Sequence, residues 1–183
     1  LGRSRLEALQ ARLGLDAGKR NQPFLTTGEM FRLKLAATAS LRDRFVRADA
    51  AGRERLLREE VAGLELARVE PLVRPLLIDE VEWHFSAADL ARVLDELRQN
   101  SQAERLLPLL TLQSPFPVDA GIWSYVGFKG GAECGVFNIT LLLQRRQGGW
   151  FTLVLTWNNP AADVEPAQLF ELLERAVLLL ERS

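Results

Sequence analysis

The spacing of apolar residues changes character near residue 122. Before it, leucines and valines recur at helical intervals; after it, apolar residues alternate or run together as in strands, until one last helix. Leu6, Leu9 and Leu13 mark an opening helix, and Gly14 is a natural stop. Residues 16–23 are polar and turn-forming. Thr26 followed by Glu29 forms a capping box, which predicts a helix carrying Met30, Phe31, Leu33, Leu35 and Leu41. A second helix is expected over 53–66, with Leu56, Leu57, Val61 and Leu64 on one face, and Pro71 and Pro75 interrupt regularity after it. Ser86 and Asp89 open another helix that turns Leu90, Val93, Leu94 and Leu97 inward. A shorter helix follows over 103–110, then a loop over 113–121.

From Ile122, Trp123, Tyr125 and Gly127 alternate with Ser124, Val126 and Phe128, and the run is expected to end at Lys129. A second strand is expected over 135–146. Gln147, Gly148 and Gly149 then read as a hairpin turn. Residues 150–157 are almost wholly apolar, which predicts a strand buried on both faces and therefore central. The final helix, 165–182, carries Leu169, Leu172, Leu173, Ala176, Leu179 and Leu180 as its apolar stripe. The expected fold is α/β in the α+β sense. A helical region (1–112) precedes a three-stranded antiparallel meander with a C-terminal helix packed on it (122–183), all in one domain, 1–183. A third strand that is central yet last in sequence lacks a neighbour on one side. Together with a first residue that is Leu rather than Met, this gives the expectation of an incomplete domain whose partner is a missing N-terminal segment of the same protein.

Composition narrows the function classes. With 48% hydrophobic and 26% charged residues, the 183-residue chain has enough apolar material for a core. A net charge of -1 gives no basic excess for nucleic acid. No apolar run reaches the ~18 residues of a membrane helix. A single cysteine, Cys134, excludes an internal disulfide.

The stretch Tyr125-Val-Gly-Phe-Lys129-Gly130-Gly131-Ala132-Glu133-Cys-Gly-Val-Phe-Asn carries the chemistry. It resembles the Lys-Thr-Gly strand of class A β-lactamases and related penicillin-recognising serine hydrolases, some of which write it Lys-Gly-Gly followed by a small residue and Glu. Further matches are Gly2-Arg-x-x-Leu-Glu-Ala-Leu ending Leu13-Gly-Leu, Pro23-Phe-Leu-Thr-Thr-Gly-Glu-Met-Phe, and Val81-Glu-Trp ahead of Ser86-Ala-Ala-Asp. The order of meander and last helix agrees, so the similarity covers essentially the whole chain.

The resemblance implies a β-lactamase/transpeptidase-like fold and acyl transfer through a serine. Lys129 is expected to give electrostatic support from a rigid strand, and the Ala132 N–H to serve the oxyanion hole. Gly130 and Gly131 are expected to let a substrate lie against the backbone, with Glu133 lining the cleft. No Ser-x-x-Lys and no Ser-Asp-Asn occurs in this chain; relatives carry both upstream. Two departures lie within it. The region 16–27 has no Glu where class A enzymes place their deacylating carboxylate, and Gly130 stands where relatives have Thr. Both favour an esterase or peptidase-like hydrolase over antibiotic hydrolysis. The implied partners are a small-molecule or peptide substrate, with no metal or other cofactor, and the implied location is periplasmic or secreted.

The plainer readings run alongside. Lys-Gly-Gly by itself is an ordinary solvated strand end before a glycine turn. Cys134 reads as a small packing residue, His84 as a packing or surface residue, and the four tryptophans as core aromatics. The alternative function is a non-catalytic binding module of the same fold; a helical adaptor with the strands as scaffold is a third.

Overall fold

The structure is a computed structural model that describes residues 2–66, 72–111 and 118–182. The expected break at Pro71 and most of the loop over 113–121 lie outside the described residues. The fold is mixed α+β, with a helical N-terminal region, a three-stranded antiparallel sheet and a C-terminal helix against the sheet. The chain divides into two compact units, Leu1–Ser86 and Ala87–Ser183.

The described residues of the first unit form helices and turns. Helix α1, Arg3–Arg12, ends where Gly14 takes a φ of 61°. Its inward residue is Gln10, whereas Leu9 is exposed. One 3-10 turn, Asp16–Lys19, follows. Helix α2, Thr27–Phe31, opens with the expected capping box. The Thr26 hydroxyl accepts from the Glu29 N–H at 3.2 Å, and the Thr26 N–H donates to the Glu29 carboxylate at 2.8 Å.

α2 then widens into a π turn, Arg32–Ala36, and stops. The single helix expected through Leu41 is therefore two. The Thr38 hydroxyl accepts from the Leu41 N–H at 3.2 Å and starts a new helix, α3, Ala39–Arg47. The π turn sends the consecutive residues Leu33 and Lys34 inward. Lys34 is neutralised by Glu82. Arg42 donates to the carbonyls of Leu33 and Lys34 near the end of this turn.

Asp49 caps helix α4, Ala50–Leu56, which starts before the expected 53 and runs into a second π turn, Leu57–Val61. Leu33, Phe45, Val61 and Val81 centre this unit's core.

In the second unit, helices α5, Ala87–Gln99, and α6, Ala103–Thr111, precede strands β1, Trp123–Glu133, β2, Val136–Arg145, and β3, Trp150–Asn158, and helix α7, Pro166–Arg182. The strand order is β1-β2-β3, so the apolar third strand is an edge and not the centre. β2 takes the central place and is the deeply buried strand, through Ile139, Leu141, Leu142 and Leu143. The apolar content of β3 is spent on faces covered by helices, not on neighbours at both sides.

One face of the sheet, carrying Val126, Phe128, Ile139, Leu141, Leu143, Leu153 and Leu155, packs on Leu169, Leu173 and Val177 of α7. The α7 stripe thus repeats every four residues. Leu172 and Leu179, expected within it, are 52% and 68% exposed. On the other face the Tyr125 hydroxyl donates to the Leu107 carbonyl of α6 at 2.8 Å, and Arg98 of α5 lies 5.7 Å over the Trp150 ring.

Candidate functional site

β1 runs four residues past the point where the sequence pattern ends it. Lys129 is thus not a strand terminus; it pairs with Thr140 in mid-strand, and the ladder continues through Gly130↔Ile139, Gly131↔Asn138, Ala132↔Phe137 and Glu133↔Val136. Glycine pairs suppress the strand signal in sequence, but β2 supplies a full set of ladder partners. The turn is the two residues Cys134 and Gly135, with Gly135 at a φ of 82°. Asp163 pins it, accepting from the N–H groups of Gly135 at 3.0 Å and Val164 at 2.9 Å.

Antiparallel pairs alternate between exchanging hydrogen bonds and turning their polar groups away. Counted from the pair that closes a two-residue turn, Glu133, Gly131 and Lys129 bond to β2. Gly130 and Ala132 direct N–H and C=O away from it. The Gly130 carbonyl accepts from the Lys129 ammonium, as an outward carbonyl can. Among the described residues no strand pairs with β1 on that outer side. The edge therefore offers outward amides at Gly130 and Ala132, with an exposed ammonium beside them.

Along this edge lies a groove of about 560 Å³, lined by Leu109, Leu110, Phe128, Phe137 and Asn138 together with the 129–132 backbone. The structure thus brings Lys129, Gly130, Gly131 and Ala132 to one groove. Glu133, half-buried at the turn, is not among its lining residues. Sequence reading missed the flanking hydrophobics. Phe128 was visible only as one of many strand residues. Leu109, 62% exposed on α6, fell within the short helix expected over 103–110 with nothing to set it apart.

Gly130 has a steric reason. A Cβ there would sit 2.8 Å from Phe128 Cζ and 3.3 Å from Cε1, so the Phe128 ring occupies the space above it. Gly131 has nothing within 4 Å of its notional Cβ. That face of the strand is open.

The other candidates take structural places. Cys134 is buried, and burial together with the adjacent Asp163 carboxylate raises its thiol pKa, which disfavours the thiolate a nucleophile needs. Burial also pushes the Tyr125 phenol up to about 12. In the first unit, His84 lies in a polar recess of about 380 Å³ with Arg20, Arg53, Asp79 and Gln22. Its backbone is clasped by buried Asn21, whose amide donates to the His84 carbonyl at 2.7 Å and accepts from its N–H at 2.8 Å. Burial first, then the charges of Arg20 and Arg53, pull the imidazole down to about 4. His84 is therefore neutral at pH 7.

Among the described residues no three His, Cys, Asp or Glu side chains gather as a metal site. No helix there is long and apolar enough to cross a membrane. No known family model matches the chain, and no curated protein matches it significantly.

Proposed function

We propose that this chain carries the Lys-Gly-Gly half of a serine-dependent acyl-transfer site, in a β-lactamase-like hydrolase whose Ser-x-x-Lys nucleophile stands in a preceding segment of the same polypeptide. The observation that carries this reading is the outward amide of Ala132 on the same unpaired strand edge as Lys129, with open space at Gly131 between them. A donor on a rigid strand needs no reorganisation when charge develops on a carbonyl oxygen, which is the requirement for oxyanion stabilisation.

In that reaction the serine oxygen bonds to the carbonyl carbon of an ester, amide or lactam while the neighbouring lysine takes its proton. The carbonyl oxygen becomes anionic and accepts from the Ala132 N–H. Collapse breaks the bond to the leaving group, which departs with the proton, and water then cleaves the acyl-serine. Lys129 contributes a fixed positive potential at the mouth of the groove. The region 16–27 has no Glu, the residue that class A enzymes use there to activate water. This favours substrates whose acyl-enzymes hydrolyse readily, such as esters, over β-lactams.

The test is labelling with a serine-directed fluorophosphonate. The full-length protein is expected to label, and to stop labelling when the serine of its Ser-x-x-Lys is replaced by Ala. The 183-residue chain is expected to stay unlabelled. Labelling of the chain alone, or no labelling of a full-length protein that has the motif, ends the proposal. The latter result would leave a non-catalytic binding module of the same fold.

A further inference from the structure

We infer that the groove beside β1 selects substrates by an apolar acyl body, an alkyl or aryl chain, rather than by the polar contacts of a peptide. This rests on the acyl-transfer reading of the Lys129 strand and names the substrate class of that site.

Three observations carry it. First, among the described residues lining the groove, the side chains are hydrophobic apart from two. Leu109, Leu110, Phe128 and Phe137 line it together with Lys129 and Asn138, and Lys129 is the only charged residue among the described residues lining it. A peptide laid there would leave most of its side-chain hydrogen-bonding groups without partners. Second, Leu109 is 62% exposed although it sits directly in this recess. An exposed large side chain at a concave site is surface held ready for an apolar ligand.

Third, the Phe128 ring takes the volume into which a side chain at Gly130 would project, 2.8 Å from its Cβ position. A hydroxyl-bearing residue cannot stand there without displacing the ring. The strand has an aromatic edge where a polar contact to substrate would otherwise sit. The remaining polar features are Lys129, Asn138 and the outward amides of Gly130 and Ala132. They suffice to hold a carboxylate or carbonyl and leave discrimination to the apolar walls.

The expected magnitude follows from burial: each methylene removed from water strengthens binding about fourfold. The probes are acetate, butyrate, hexanoate and octanoate, titrated at constant ionic strength into the 183-residue chain. Amide resonances of Gly130, Gly131 and Ala132 serve as the readout. Affinity is expected to rise about fourfold per methylene across the series, with perturbations confined to β1 and α6. Leu109→Asn, a change on an exposed helix position, is expected to flatten the series. Lys129→Met is expected to weaken all four acids alike. Equal affinities across the series, or perturbations that map away from β1 and α6, would overturn the inference.

A second arm separates this from the parent reading. If octanoate outbinds acetate but the full-length protein does not label with the fluorophosphonate, the chemistry is wrong and the selectivity stands. If the protein labels, yet kcat/KM for p-nitrophenyl esters is flat from acetate to octanoate, the chemistry stands and the selectivity is wrong.

Discussion

The contact between Phe128 and Gly130 makes a quantitative prediction. Replacing Gly130 by Thr places a Cβ 2.8 Å from Phe128 Cζ, whereas carbon atoms prefer about 3.5–4.0 Å, so the ring must retreat by well over half an ångström. It has little room, because Phe128 also packs against the cluster built on β2 and α7. Overpacking of this kind costs about 1–3 kcal/mol. Against it stands a gain of up to about 1 kcal/mol, because Thr suits a strand interior better than Gly. The net expectation is a destabilisation of about 1 kcal/mol.

Remove the ring with Phe128→Ala and the cost disappears while the gain remains, so the same Gly130→Thr change should then stabilise. The double-mutant cycle should give a coupling of about 1–3 kcal/mol. Urea unfolding followed by tryptophan fluorescence measures it, in a Trp83→Phe background so that the signal comes from Trp123, Trp150 and Trp157 of the second unit. Additivity within about 0.5 kcal/mol, or stabilisation by Gly130→Thr with Phe128 present, would show that the ring does not hold this space.

Three further expectations follow. Ala132→Pro deletes an N–H that faces the open edge, where proline is tolerated; the full-length protein should keep its stability but lose about 10²-fold or more in kcat, whereas Ala132→Gly, which keeps the donor, should change kcat little. As the single histidine, His84 gives one imidazole signal by NMR, expected to titrate near about 4 and to move up in Arg20→Gln; a value near 6.5 would contradict its placement beside two guanidiniums. Because that folded-state pKa lies below the unfolded value, the stabilisation is present in full above about pH 6.5 and should be lost as pH falls towards about 4. Asn21→Ala should destabilise the first unit by about 1–3 kcal/mol in urea unfolding, since it leaves the half-buried His84 N–H and C=O without the partner that clasps them; a loss under about 0.5 kcal/mol would mean water replaces the clasp.

The elements were more legible in the sequence than their neighbours. The Thr26–Glu29 box, the meander and the last helix follow from local chemistry, since caps, glycine turns and periodicity act over a few residues. The π turns and the restart at Thr38 were not legible. A hydroxyl that caps a helix is spelled the same way as one inside it, and a π turn has no residue type of its own: here it buries Lys34 beside Leu33, which an apolar pattern does not mark. In α7, leucines at Leu172, Leu178 and Leu179 crowd the pattern, so periodicity does not mark the boundary of the face that Leu169, Leu173 and Val177 bury. The strand order was misjudged for a related reason. Apolar content reports coverage by helices and by neighbouring strands together, and only pairing separates β3 at the edge from β2 at the centre.

The candidate site shows the same limit from the chemical side. Ala132 carries no functional group, so its side chain gives no sign of whether its amide faces solvent or the neighbouring strand. That is decided by parity, counted from the turn at Cys134 and Gly135. One residue more or fewer in the turn would move the outward set from Gly130 and Ala132 to Lys129 and Gly131, and would also turn the Lys129 side chain to the opposite face. The turn is held from outside the hairpin, because Asp163 accepts from Gly135 and the Asn159 N–H donates to the Gly135 carbonyl at 2.7 Å. Residues after β3 thereby fix which amides of β1 face the groove. The Lys-Gly-Gly spelling supplies the groups, and the Cys134–Gly135 turn with its Asp163 anchor directs them.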